Sequence, residues 1–109
     1  MVSAAVAENK IFQALADPSR RAIFESLTRG EAAVKDLTAR FDISQPAVSQ
    51  HLATLKDAGL VADRREGRCA YYRVEPRGMK PLIDWISQYR DFWTEHVDRL
   101  SQLLENMDE

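Results

Sequence analysis

Ser44, Gln45, Ser49, Gln50 and His51 fall within eight consecutive positions of the stretch ISQPAVSQHLATLKDAGLV, and none of those eight is a charged residue. Such side chains suit two kinds of chemistry. A hydroxyl and an imidazole can act as nucleophile and base, or hydroxyls and amides can hydrogen-bond the edges of nucleic-acid bases. The first use requires a nucleophile, a base and an orienting group that converge. Ser49 and His51 are two apart on a helix and point in different directions. There is no glycine-rich phosphate loop and no paired-carboxylate arrangement, so an enzyme is not expected. A metal centre is not expected either. Zinc or arsenite needs several placed N or S ligands, whereas Cys69 and the two histidines, His51 and His96, lie in different elements. No cofactor is implied.

Readout of bases fits better. Glutamine can bond adenine through two hydrogen bonds, and serine both donates and accepts. Proline and alanine permit close approach and can touch a thymine methyl, while a helix N-terminus favours phosphate. Expected contacts to double-stranded DNA are therefore Ser44, Gln45, Pro46, Ser49, Gln50, His51 and Thr54. Two alternatives stay open: Ser44 as a helix cap, and His51 at the edge of a buried stripe. Arg64, Arg65 and Arg68 surround a turn where no hydrophobic purpose explains them. They suit phosphate or a narrow minor groove, against the plainer use of a solvated charged turn. Cys69 follows them. It reads as a buried or half-buried structural residue rather than a redox switch, because no second cysteine could resolve an oxidised form within the chain.

These residues need a particular set of elements to hold them. Ser44 is a good N-cap, Pro46 is tolerated in a first turn, and Gly59 is a good helix stop. At about 100° per residue, Val48, Leu52 and Leu55 share one side. Pro46, Gln50, Ala53 and Asp57 take the other, with Ser49 and Thr54 beside them. Upstream, Ala4, Ala5, Glu8, Ile11, Phe12 and Leu15 recur at near-helical spacing over residues 4–16. DPSRRAIFESLTRG predicts a second helix, capped by Asp17, opened by Pro18 and stopped by Gly30, with Ala22, Ile23 and Leu27 inward. A short third helix sets Val34, Leu37 and Phe41 on one side and meets the fourth through Phe41-Asp42-Ile43. LVADRREGRCAYYRVEP predicts a β-hairpin turning near Glu66–Gly67, closed by Pro76 and Gly78. Residues 79–107 predict one long final helix, with Leu82, Ile86, Tyr89, Trp93, Val97, Leu100, Leu104 and Met107 in a stripe. The resulting fold class is mostly α with a small β-hairpin: a winged helix-turn-helix with long N- and C-terminal helices. It is one domain, its DNA-binding core at about 17–76.

Composition agrees with this class. The 109 residues are 45% hydrophobic and 29% charged, ordinary for one globular domain. No apolar run approaches the roughly 18 residues of a membrane span. The opening MVSAAVAENK lacks the pattern of a secretory signal, and a lone cysteine fits a reducing cytoplasm. The net charge is −2, but residues 91–109 carry six acids against Arg99, which leaves +3 on the first 90. Local charge placement matters more than the total, because exposed charges interact mainly within about 8 Å.

Three stretches carry a family resemblance: LADPSRRAIFESL, VKDLTARFDISQPAVSQHLATLKDAGLV and REGRCAYYRV. Over roughly residues 8–100 the chain resembles the ArsR/SmtB family of bacterial winged-helix repressors. Ser44, Ser49, His51 and Leu52 stand where the family pattern expects them, and Pro46 where it commonly has proline or serine. The resemblance implies a homodimeric repressor that leaves a two-fold symmetric operator on sensing a signal. The family's metal sites do not carry over. One opens the third helix with paired cysteines, where this chain has Ala33 and Lys35. Another uses Asp-x-His and His-x-x-Glu on the last helix, where Asp84-Trp85-Ile86 and His96-Val97-Asp98-Arg99 fail both patterns. A non-metal signal is therefore expected.

The final stripe runs past what a four-helix core can cover, so part of it needs a second chain. The expected dimer interface comprises Phe12, Leu82, Ile86, Tyr89, Trp93, Val97 and Leu100, and pairing would space two recognition helices about 34 Å apart. The aromatic group Trp85, Tyr89, Phe92 and Trp93 leaves open a small-molecule effector. A winged helix that binds protein is the rival use of this fold, but it should show an apolar or acidic recognition face.

Overall fold

The computed structural model describes residues 4–107. Local capping chemistry sets the helix boundaries. Helix α1 spans Ala4–Ala16 and α2 spans Pro18–Leu27. Between them, the Asp17 carboxylate accepts a 2.9 Å hydrogen bond from the Arg20 backbone N–H, which also draws its pKa down. Arg20 and Arg21 turn back onto the last carbonyls of α1, with Nε of Arg20 donating to the Ala14 carbonyl oxygen (2.7 Å) and Nη1 of Arg21 to that of Leu15 (2.8 Å). The α1–α2 corner is thus tied by main-chain and arginine contacts.

Strand β1 (Ala32–Ala33) runs directly into α3 (Val34–Phe41), and Asp42 in the left-handed region (φ 52°) turns the chain into α4 (Gln45–Asp57). The end of α4 is a Schellman cap. Gly59 has φ 81°, its N–H bonds the Lys56 carbonyl, and the Leu60 N–H reaches back to that of Leu55. Strands β2 (Val61–Glu66) and β3 (Cys69–Val74) then form the hairpin, with Arg64 opposite Tyr71 and Glu66 opposite Cys69. The two-residue turn is Gly67-Arg68, so Glu66 is the last strand residue rather than part of the turn. Gly67 has φ 62°, which a primed hairpin turn requires.

The core gathers one face from each of α1 to α4. Ile11, Ile23, Leu37, Val48, Leu52, Leu55 and Leu60 are all at most 1% exposed. Ile23 and Leu27 face inward as expected and Ala22 is half-buried; Ala5, by contrast, is exposed, because α1 reaches the core only from Ile11 onward.

Two features depart from the sequence expectation. The sheet has three strands in the order β1-β3-β2, because Ala32 and Ala33 pair with Tyr72 and Tyr71. The last helix is also not continuous. After a 3-10 turn (Pro76–Met79), α5 covers Lys80–Ser87 and α6 covers Arg90–Met107. At the break the Tyr89 N–H bonds the carbonyl of Ile86, three residues back, in place of the usual four. The break lets Leu82 of α5 pack on the core while α6 leaves it. Every residue of α6 is exposed.

Candidate nucleic-acid interface

Helix α4 meets its core with Val48, Leu52 and Leu55, so the opposite side is left to solvent. That side presents Gln45, Pro46, Ser49, Gln50 and Ala53, all exposed. Ser44 is the N-cap, its Oγ accepting from the Ala47 N–H at 3.2 Å. Capping uses one lone pair of this hydroxyl and leaves its O–H free to donate. Thr54 is half-buried and donates to the Gln50 carbonyl oxygen at 3.1 Å. His51 is half-buried as well, and its Nδ1 is buried without a hydrogen-bond partner among the described residues. It sits towards Asp17 at the head of α2.

The wing lies beside the first turns of α4. A cleft of about 400 Å³ between them is lined by Gln45 and Ser49 from α4, by Arg65, Arg68 and Cys69 from the hairpin, and by Lys35 from the start of α3. Gln45 and Ser49 are thus brought together with Arg65 and Arg68, whereas Ser44, Pro46, Gln50, His51, Thr54 and Arg64 do not line this cleft. Lys35 joins them there, although the sequence marks it only as standing where a cysteine would be needed. No signal in a lone lysine at the start of a helix distinguishes it; the three-stranded sheet that brings α3 to the wing does.

The three wing arginines are not equivalent. Arg65 and Arg68 are exposed and hold no ion pair among the described residues. Arg64 is held by Glu31 through Nη2 (2.7 Å) and Nε (3.0 Å to Oε2), by Glu66 through Nη1 (2.9 Å), and lies 4.6 Å from the Tyr71 ring centroid. Its hydrogen bonds hold the Glu31 carboxyl below the usual carboxylate range. Lys56 and Asp63, 2.8 Å apart, join the end of α4 to β2, and their mutual hydrogen bond raises the lysine pKa and lowers the aspartate's.

Of the residues expected at a dimer interface, Leu82 is half-buried and packs against the chain's own core. The others, Phe12, Ile86, Tyr89, Trp93, Val97 and Leu100, are between 41% and 56% exposed. Phe12 meets the edge of Trp85 at 5.5 Å, and Trp85, Tyr89, Phe92 and Trp93 line an open apolar hollow of about 360 Å³. Among the described residues, no group of three or more His, Cys, Asp or Glu side chains is placed to hold a metal ion, and no helix is long and apolar enough to cross a membrane.

Comparison with known proteins gives a consistent picture. The family described as "Bacterial regulatory protein, arsR family" matches residues 17–63, from the cap of α2 into β2. The HTH-type transcriptional regulator Rv2034 of Mycobacterium tuberculosis is 41% identical over 98 residues, spanning 90% of this chain and 89% of that protein. The transcriptional repressor SdpR of Bacillus subtilis is 35% identical over 81 residues, spanning 74% of this chain and 90% of its own length. A crystal structure of an ArsR family transcriptional regulator superposes with a TM-score of 0.74 at 33% identity, covering 86% of this chain and 97% of that one.

Proposed function

The chain belongs to the arsR family of bacterial regulatory proteins, transcriptional regulators rather than enzymes, and from that premise we propose that it acts as a homodimeric repressor. It binds a two-fold symmetric operator and leaves it on a signal other than a metal ion. The observation that carries the DNA contact is the shared cleft. An uncharged hydrogen-bonding helix face lies beside two arginines that hold no ion pair among the described residues, the division of labour between base readout and phosphate anchoring that duplex recognition needs. A protein-binding winged helix would offer an apolar or acidic face there instead.

Support for the dimer comes from α6. An 18-residue helix with no residue shielded has little reason to persist alone in water, since most helices draw their stability from packing an apolar face. A second copy of the same helix would cover Trp93, Val97 and Leu100. Support for a non-metal signal comes from Ala33, Lys35 and Arg99, which occupy positions where the family's sites would need thiolates or a carboxylate. An apolar effector seated in the hollow of Trp85, Tyr89, Phe92 and Trp93 would act through the geometry of that dimer.

A genome-wide footprint of the bound protein, followed by mobility shifts on the recovered sites at several salt concentrations, tests the proposal. Tight, salt-sensitive binding to a two-fold symmetric sequence is the expected result. Binding that ignores both sequence and salt would refute it.

A further inference from the structure

Arg64 stands on β2, Tyr71 is its partner on β3, and Ala33 of β1 is the next partner along the same row. The Arg64 side chain crosses the Tyr71 ring and reaches Glu31, immediately before β1. It therefore spans all three strands. This matters because β1 joins the hairpin through only two residue pairs, and the wing's other ties to the helices are the packing of β3 on α2 and α3 and the Lys56–Asp63 pair between α4 and β2. We propose that Arg64 is a positioning residue: by strapping the wing to Glu31 it aims Arg65 and Arg68 at the surface presented by α4, and it makes no DNA contact itself. This rests on the DNA role proposed above for Arg65 and Arg68.

The geometry supports the strap over a phosphate contact. Nε, Nη1 and Nη2 each donate to a carboxylate oxygen, so a phosphate would find only the two remaining N–H groups and would have to approach the negative charge of Glu31 and Glu66. Isolated exposed ion pairs order little. A planar fork held by two carboxylates and an aromatic face is different, because it fixes direction as well as distance.

Glu31→Gln separates the two roles by sign. Removing a negative charge beside the DNA surface should tighten binding on electrostatic grounds alone. A strap predicts the opposite, a loss of roughly three- to tenfold in operator affinity. Arg64→Ala should lose a similar factor, and the double variant should be no weaker than either single one. Arg68→Ala should cost less in the Glu31→Gln background than in the native chain, because a wing without its strap no longer presents Arg68. That coupling is a readout which general destabilisation would not produce, and thermal melting of each variant confirms that the fold persists under the binding conditions. Tighter binding by Glu31→Gln would overturn the inference by making Glu31 a competitor of DNA for Arg64. A salt dependence lowered by one whole phosphate in Arg64→Ala, with Glu31→Gln silent, would overturn it by making Arg64 a direct anchor. If Arg65→Ala and Arg68→Ala both leave the salt dependence unchanged, the DNA role of the wing fails, and the strap's function fails with it.

Discussion

At the scale of single residues, the chain separates side chains that hold the recognition helix from side chains free to read DNA. The Ser44 and Thr54 hydroxyls each make one bond to the helix itself, and His51 turns Nδ1 inward. Gln50 makes no side-chain hydrogen bond among the described residues and lies on the exposed side of α4. Gln50→Ala should therefore weaken specific binding by about 1–3 kcal/mol while leaving non-specific binding nearly unchanged; mobility shifts on operator and unrelated DNA measure both. The proposed function puts Arg65 and Arg68 in the other class, as sequence-independent anchors. Replacing each by alanine should weaken binding to every duplex and lower the log–log salt slope by about 0.9 for each phosphate no longer neutralised. An unchanged slope would mean that the wing does not touch DNA. Residue types alone identify both groups, but they cannot divide the three arginines. That division depends on Glu31, which comes within reach only through a strand of two alanines.

At the scale of elements, the joint between the recognition helix and the wing is held by main chain against main chain. A Cβ built on Gly78 would lie 1.6 Å from the Gly59 carbonyl oxygen, so the 3-10 turn after the wing abuts the Schellman cap of α4. Neither backbone can yield without moving its element. Gly78→Ala should cost about 3 kcal/mol, the upper end for overpacking, and lower the melting temperature by more than about 10 °C. A melt at fixed protein concentration checks this, and an unchanged midpoint would mean that the two turns do not touch. The same scale shows where sequence patterns work. Helices α2 and α4 are legible because Asp17, Pro18, Ser44 and Gly59 act locally, through caps that need no distant partner. Strand β1 is not legible, because two alanines have no period and pair only once β3 is in place. The break at 88–89 is hidden too: no proline or glycine marks it, and the apolar stripe continues across it while the packing partner changes.

At the scale of the whole molecule, the shape supports the proposed second chain. The radius of gyration is 17.7 Å, against about 13 Å for a compact chain of this length, and the excess comes from α6 extending from the core. Its large apolar side chains, Phe92, Trp93, Val97, Leu100, Leu103, Leu104 and Met107, are between 46% and 78% exposed, a run of apolar surface of the kind that marks an interaction site. Pairing through α1 and α6 would place two recognition helices on one side of the assembly, where both half-sites are needed for useful affinity. The same pairing bears on the signal. Where the family resemblance implies metal ligands on the last helix, this chain has aromatic and aliphatic side chains and Arg99, so zinc, cadmium and arsenite should leave operator affinity unchanged. Trp93→Ala should shift sedimentation towards monomer and weaken operator binding together, because the two properties share one surface. Stoichiometric metal binding that releases DNA would refute the sensing half of this prediction, and a native monomer at micromolar concentration would refute the assembly half.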